Sequence, residues 1–164
     1  MVSIKQRRKP MVVYLHRYPP EYEAEQLPVM RDIFDSWLSV YDVVYCCMHS
    51  PKKPDPKLRR GLYMMHLPFT IDRTNGRDKW IKTLLYYFYL PITLWKIKRL
   101  DPDIVIPKET LPFLPSLAGL LGKPMFMEVS DWWWPILLGK SKTSMKIAKW
   151  LDEQQLELPK LGLG

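Results

Sequence analysis

The chain has 164 residues, of which 47% are hydrophobic and 26% charged, a composition that excludes a disordered or fibrous protein. Its formal net charge of +8 favours an anionic partner such as a nucleotide phosphate, an anionic lipid or a nucleic acid. A basic surface without such a partner is an equal alternative. The two cysteines, Cys46 and Cys47, are adjacent, which excludes a disulfide framework or a zinc motif and fits a reducing, cytosolic setting.

The first half of the chain predicts three strands and a helix. Met11 to Leu15 reads as a buried strand, and His16 to Pro20 as the turn that follows it. A helix comes next, because apolar residues recur at helical spacing at Leu27, Met30, Phe34 and Trp37. Two more strands are predicted at Tyr41 to Met48 and at Gly61 to Leu67, on either side of a loop rich in proline and lysine.

The second half opens with a long aromatic segment, Trp80 to Leu100, which predicts a helix kinked at Pro91. One predicted apolar face contains Ile81, Leu84, Leu85, Phe88, Ile92 and Trp95. The basic ends of the segment leave two interpretations, a buried crossover helix, which we favour, or a helix at an anionic membrane surface. The predicted order ends with a strand at Ile104, a short helix through Ser116 to Leu121, a strand at Met125 and a helix from Ser144 to Leu156.

This alternation predicts a single α/β domain with a doubly wound, mostly parallel sheet of about five strands. We expect the domain to span residues 11–157, between a basic, disordered arm at 1–10 and an irregular tail at 158–164. Parallel strands end at one edge of a sheet, where ligands bind in such folds. Histidines and carboxylates follow predicted strands at this edge, namely His16, His49, His66, Glu109 and Asp131.

These edge residues have a functional and a structural interpretation. Carboxylates such as Glu109 and Asp131 can each accept hydrogen bonds from two sugar hydroxyls, but both residues could equally cap helices. His16 could bind a phosphate or hydroxyl, or it could cap a loop. Trp132 to Trp134 could stack on a sugar, or they could pack in the core. Three consecutive tryptophans cannot all face one core, so at least one is expected to be partly exposed or at an interface.

The loop after the first strand does not suit a dinucleotide. It has no glycine to bring backbone N–H groups close to a phosphate, and it contains Pro19, Pro20 and the carboxylates Glu21, Glu23 and Glu25. No P-loop, nucleophile elbow or metal-ligand motif appears in the sequence.

Four segments, in order, carry a resemblance over about Met11 to Leu156: YLHRYPPEYEAEQLP, GRDKWIKTLLYYFYLP, RLDPDIVIPKETLPFLPSLAGLLGKPMF and VSDWWW. Together they resemble the N-terminal, acceptor-side domain of GT-B glycosyltransferases of the group 1 (glycogen/sucrose synthase-like) superfamily. The resemblance implies a Rossmann-like domain that binds the acceptor, facing a second domain that binds a nucleotide-sugar donor as co-substrate. It also implies retention of anomeric configuration, with no metal and no other cofactor.

By this analogy the substrate-binding candidates lie at the cleft, whereas the catalytic residues stay unassigned. The candidates are His16, Tyr18, Lys108, Glu109, Ser130, Asp131 and Trp132. Many relatives carry a glycine pair near the donor diphosphate, where this chain reads Pro-Glu-Tyr-Glu, so we do not expect a donor contact at that loop.

We therefore predict the acceptor-binding half of a glycosyltransferase, inactive alone because its donor-binding domain is not in this chain. The alternative is a non-catalytic remnant that binds a carbohydrate or a lipid-linked acceptor, and a basic nucleic-acid binder ranks a distant third. Expected partners are a sugar or lipid-linked acceptor, a donor-domain chain or a second copy, and an anionic membrane surface. The expected location is the cytoplasm, with peripheral association at the membrane.

Overall fold

The computed structural model describes residues 9–72, 76–108 and 114–126, together with the helical positions 143, 146, 149 and 150. The first eight residues of the predicted arm, the tail at 158–164 and most of the predicted last helix lie outside this part. The elements in chain order are β1 (Met11–Leu15), α1 (Pro20–Gln26), α2 (Met30–Val40), β2 (Asp42–His49), α3 (Pro56–Arg59), β3 (Tyr63–Thr70), α4 (Gly76–Leu100), β4 (Ile104–Pro107) and α5 (Leu114–Gly119).

The four strands form one parallel sheet in the order β3-β2-β1-β4. β1 is central, with Val13 opposite Val44 of β2 on one side and Val105 of β4 on the other. Met125 forms an isolated parallel bridge to Val105, next to β4, where a fifth strand was predicted. The predicted α/β class and parallel sheet are confirmed, with four strands in the described part of the chain.

Helices cover both faces of the sheet, so successive residues of β1 enter different cores. Val13 and Leu15 pack towards α4 and α5 in a cluster that also contains Tyr86, Leu90 and Leu114. Tyr14 packs on the opposite face, in the cluster that also contains Phe34 of α2 and Leu58 of α3. Burial on both faces explains why β1 is a continuous apolar run.

The strand order creates a switch point. From β1 the chain moves outward through β2 to β3, and α4 then returns it to the other side of β1, where β4 pairs. The crevice between the carboxyl ends of β1 and β4 is therefore where the two directions of winding diverge. In open α/β sheets this is the usual place for a ligand.

The helix predicted after β1 is divided into α1 and α2. α1 ends at Gln26, and its C-cap residue Leu27 has φ −129° and ψ 89°, outside the helical region. Leu27 precedes Pro28, whose ring disfavours a helical conformation of the residue before it. α2 then starts at Met30, and its buried side chains are Met30 and Phe34.

β3 begins and ends later than predicted. Gly61, where the strand was expected to start, has φ +83°, a left-handed conformation that favours glycine and ends the preceding turn. β3 instead starts at Tyr63 and continues through Pro68 to Thr70. Proline is tolerated there because β3 is an edge strand, and it removes a donor that another chain could pair with.

The predicted buried face of α4 is wrong. Leu84, Phe88 and Trp95 are 60%, 83% and 53% exposed, whereas the side chains buried against the sheet are Thr83, Tyr86, Leu90, Thr93 and Ile97. The helix is apolar on most of its circumference, so periodicity alone did not single out the buried side. The threonines made the buried side look polar, although both hydroxyls are hydrogen-bonded, to Arg17 and to the backbone oxygen of Tyr89.

Candidate functional site

Residues that follow β1 and β4 meet at the switch point. Leu15 and Pro107 are opposite each other in the sheet, so the next residues, His16 and Lys108, are brought to the same crevice. The backbone N–H of Lys108 donates to the oxygen of Leu15 at 3.0 Å, and that of His16 donates to the oxygen of Cys46 at 3.0 Å. The main chain thus holds both side chains at the sheet edge.

Glu23 of α1 joins these two side chains. Its Oε2 forms an ion pair with Nζ of Lys108, and its Oε1 lies 3.2 Å from Nδ1 of His16. All three residues are buried. We call His16, Glu23 and Lys108 the switch-point cluster. Two of its members were sequence candidates, but Glu23 was not, because it was counted as one of three carboxylates that repel anions.

Arg17, Tyr18 and Tyr45 form a layer beside the cluster. Nη1 of Arg17 donates to Oγ1 of Thr83 at 2.7 Å, and its guanidinium lies 4.6 Å from the centre of the Tyr18 ring. The hydroxyl of Tyr45 donates to the backbone oxygen of Tyr18 at 3.3 Å and lies 3.4 Å from Nδ1 of His16. Arg17 and Tyr18 are buried, so residues from the loop after β1, from β2 and from α4 fix this layer.

The cluster and Arg17 supply charges of both signs. Among the described residues, Lys108 and Arg17 are cations and Glu23 is a carboxylate, before any protonation of His16. A carboxylate beside Nδ1 favours the tautomer with the proton on that nitrogen, so Nε2 becomes the acceptor. An imidazole held in this way can take a proton from a hydroxyl, and the cations can stabilise an anionic group nearby.

The other two carboxylates of α1 are also paired. Glu21 accepts from Nε and Nη2 of Arg59 at 2.6 and 2.9 Å and from the backbone N–H of Asp55 at 3.0 Å. Burial favours a raised pKa for Glu21, but these hydrogen bonds outweigh it and hold the pKa below its ordinary value. Glu25 pairs with Lys52. These cations therefore largely offset the repulsion of anions that was predicted for this loop. The loop still has no glycine whose backbone N–H could approach a phosphate.

A second group of side chains lies between β2 and β3. The rings of His49 and His66 stack with centres 4.3 Å apart, and Sγ of Cys47 is 3.7 Å from Nδ1 of His66. Burial and the adjacent His49 lower the pKa of His66. Burial raises the pKa of Cys46 to about 12 and that of Cys47 well above its ordinary value, so neither thiol forms a nucleophilic thiolate at neutral pH.

Metal ligands are not assembled in the described residues. No group of three or more histidine, cysteine or acidic side chains there could hold a metal ion. The arrangement of His49, Cys47 and His66 supplies stacking and a weak sulfur contact instead.

Three of the seven substrate-binding candidates are thus brought together: His16, Tyr18 and Lys108. The ring centres of His16 and Tyr18 are 5.5 Å apart. The other four candidates lie outside the described residues, and they are Glu109, Ser130, Asp131 and Trp132.

No protein-family model matches the chain, and no curated protein or solved structure matches it either. The resemblance to GT-B glycosyltransferases therefore stays a prediction from the sequence. In the described part of the chain, no helix has the length and apolar character needed to cross a membrane. The chemistry of the switch-point cluster is the basis for a function.

Proposed function

We propose that this chain is the acceptor-binding half of a glycosyltransferase that uses a nucleotide-sugar donor. The observation that carries the proposal is the switch-point cluster, in which the carboxylate of Glu23 lies beside Nδ1 of His16 and pairs with the buried Lys108. This set suits an acceptor hydroxyl, since His16 can accept its proton while Glu23 stabilises the protonated ring. Sugar transfer would require a donor-binding domain as well.

The neighbouring aromatic and charged residues support the same assignment. Tyr18 is buried with its ring against that of His16, where it helps to hold the imidazole in place. In this proposal Arg17 and Lys108 lie near an anionic group on the acceptor, such as a phosphate that links it to a lipid. In this proposal the candidates Glu109, Ser130, Asp131 and Trp132 also contact the acceptor, and the two carboxylates accept hydrogen bonds from its hydroxyls.

A second candidate function is a non-catalytic protein that binds a carbohydrate or a lipid-linked acceptor. The observation that favours it is the mutual pairing of the cluster: Glu23 is engaged by both Lys108 and His16, and all three are buried. Such a network can hold a binding crevice in shape without taking part in a reaction. In both cases the free thiols of Cys46 and Cys47 suit a reducing, cytoplasmic location.

The test is sugar transfer from a panel of UDP-, GDP- and ADP-sugars, with and without lysate of the source cell. We expect transfer that needs both the protein and the lysate, with lysate alone as the blank. His16→Asn should abolish it, whereas His49→Asn should not, because His49 ends β2 outside the cluster. Far-UV circular dichroism checks that both variants fold.

The outcomes separate the two candidates. Saturable binding of an acceptor without transfer in any lysate would favour the non-catalytic protein. Transfer that His16→Asn and Lys108→Arg both leave unchanged would refute the role of the cluster. Salt-sensitive binding of DNA, with no carbohydrate bound, would instead favour the nucleic-acid binder.

A further inference from the structure

A stripe of apolar side chains lies along the outer face of α4. We call it the α4 stripe, and its members are Ile81, Leu84, Phe88, Ile92 and Trp95. Phe88 is 83% exposed, and every member is at least 45% exposed. The stripe covers fifteen residues of helix from Ile81 to Trp95, or about 21 Å at a rise of 1.5 Å per residue.

The core does not use this surface. The opposite side of α4 already buries Tyr86, Leu90 and Ile97 against the sheet. The stripe also continues sideways at Trp95 into a groove of about 430 Å³ between α4 and α5, whose apolar lining includes Leu94, Leu117 and Leu120. Contiguous exposed apolar surface of this kind marks an interaction site.

The charges on α4 are mostly of one sign. From Gly76 to Leu100 the sequence has six lysine or arginine residues and one carboxylate, Asp78, and Asp101 follows the helix. Lys96, Lys98 and Arg99 are exposed at the end of the stripe. The guanidinium of Arg99 lies 4.4 Å from the centre of the Trp95 ring, and Nζ of Lys96 lies 5.9 Å from that of Tyr89.

We propose that the α4 stripe docks on an anionic lipid surface, with the helix lying in the plane of the interface. Phenylalanine, isoleucine and leucine would enter the acyl boundary, Trp95 and Tyr89 would lie at the headgroup level, and the basic end would contact lipid phosphates. The long stems of Lys96 and Lys98 allow their ammonium groups to reach the headgroups from beside the stripe.

A second copy of the chain is a poorer occupant. If two α4 stripes packed in antiparallel fashion, Lys82 of one copy would face Lys96, Lys98 and Arg99 of the other. Parallel packing would superimpose the basic ends. Because α4 has six cations and one carboxylate, Asp78, either arrangement leaves an excess of like charge between the two helices. A surface of anionic phosphates matches the same pattern.

The docking surface is distinct from the switch-point cluster and involves a different ligand, so this inference goes beyond the proposed transfer reaction. It is tested without any donor sugar. The full chain is sedimented with vesicles of phosphatidylcholine alone, or of phosphatidylcholine with about one third phosphatidylglycerol, at low and high salt.

We expect binding to the anionic vesicles that weakens at high salt. Phe88→Ser with Ile92→Ser should weaken it by about tenfold or more, because two large apolar side chains leave the lipid. The control is Val29→Ser with Val40→Ser at the two ends of α2, where these residues are 49% and 53% exposed, and it should bind as the unaltered protein does. Lys98→Gln with Arg99→Gln should also weaken binding by several-fold, whereas Lys53→Gln with Lys57→Gln should not.

Three results would overturn the proposal. The first is failure to sediment with the anionic vesicles at low salt. The second is an equal loss of vesicle binding in the Phe88→Ser, Ile92→Ser variant and in the Val29→Ser, Val40→Ser control. The third is a protein that is a dimer in light scattering and becomes a monomer in the Phe88→Ser, Ile92→Ser variant while vesicle binding is retained. That result would assign the stripe to a second copy.

Discussion

Glu23→Gln should destabilise the fold far more than Glu25→Gln, although both glutamates lie on α1 and both pair with a lysine. The side chain of Glu23 is 6% exposed, and its partner Lys108 is also buried. The side chain of Glu25 is 50% exposed, and its partner Lys52 is 41% exposed. The two substitutions make the same chemical change two residues apart, so burial is the main difference between them.

The expected magnitude follows from the charge that stays behind. Removing one partner of a buried ion pair costs about 3–5 kcal/mol, because the other charge remains buried without its counter-ion. Glutamine keeps the shape of Glu23 and can still contact His16, so we expect a value near the lower limit, about 3 kcal/mol. For a domain of this size that is a large share of a total stability of about 5–15 kcal/mol. Glu25→Gln removes an exposed pair and should leave stability almost unchanged.

The assay is urea unfolding at pH 7, followed by far-UV circular dichroism. With a slope of about 2 kcal/mol per molar urea, Glu23→Gln should lower the midpoint by about 1.5 M. The double variant Glu23→Gln with Lys108→Met removes both charges and should recover much of that loss. Equal midpoints for Glu23→Gln and Glu25→Gln would refute the reasoning, as would a double variant that is less stable than Glu23→Gln alone.

Three further predictions concern other parts of the fold. Gly61→Ala should lower the urea midpoint more than Gly122→Ala: both glycines have positive φ, but only at Gly61 would the added methyl meet a leucine side chain, at 3.0 Å. Because the pKa of His66 is lowered in the fold, the unfolded chain binds more protons, so thermal stability should fall as the pH drops below about 6.5. His66→Gln should flatten this loss between pH 7 and pH 5, and an unchanged slope would contradict it. Cys46 and Cys47 should react with a thiol reagent at pH 8 only as fast as the protein opens, and rapid labelling without denaturant would show that their burial is wrong.

The sheet was predictable because its strands are buried on both faces. β1 was predicted with its observed bounds, and β2 shifted by only one residue at each end. A continuous apolar run marks such a strand without any knowledge of its neighbours. α1 and α2 were less predictable, because one proline between them divided a single apolar periodicity into two helices.

The candidate site was predictable only in part, and the reason is the distance along the chain between partners. His16 and Lys108 could be placed at the sheet edge because each follows an apolar strand. Glu23 pairs with a lysine 85 positions away, and Glu21 with an arginine 38 positions away. Local sequence shows a carboxylate but not the distant cation that faces it, so three paired glutamates looked like a source of repulsion.

α4 connects the two surfaces that the proposals concern. Thr83 accepts a hydrogen bond from Arg17 beside the switch-point cluster, at a distance of 2.7 Å. The α4 stripe begins on the same helical turn, at Ile81 and Leu84, and faces outward. A helix is rigid over a single turn, so a lipid surface that holds the stripe also sets the distance of Arg17 from that surface. Under both proposals, a lipid-linked acceptor would approach the cluster from the same surface that holds the stripe, whereas a water-soluble acceptor would gain nothing from the docked helix.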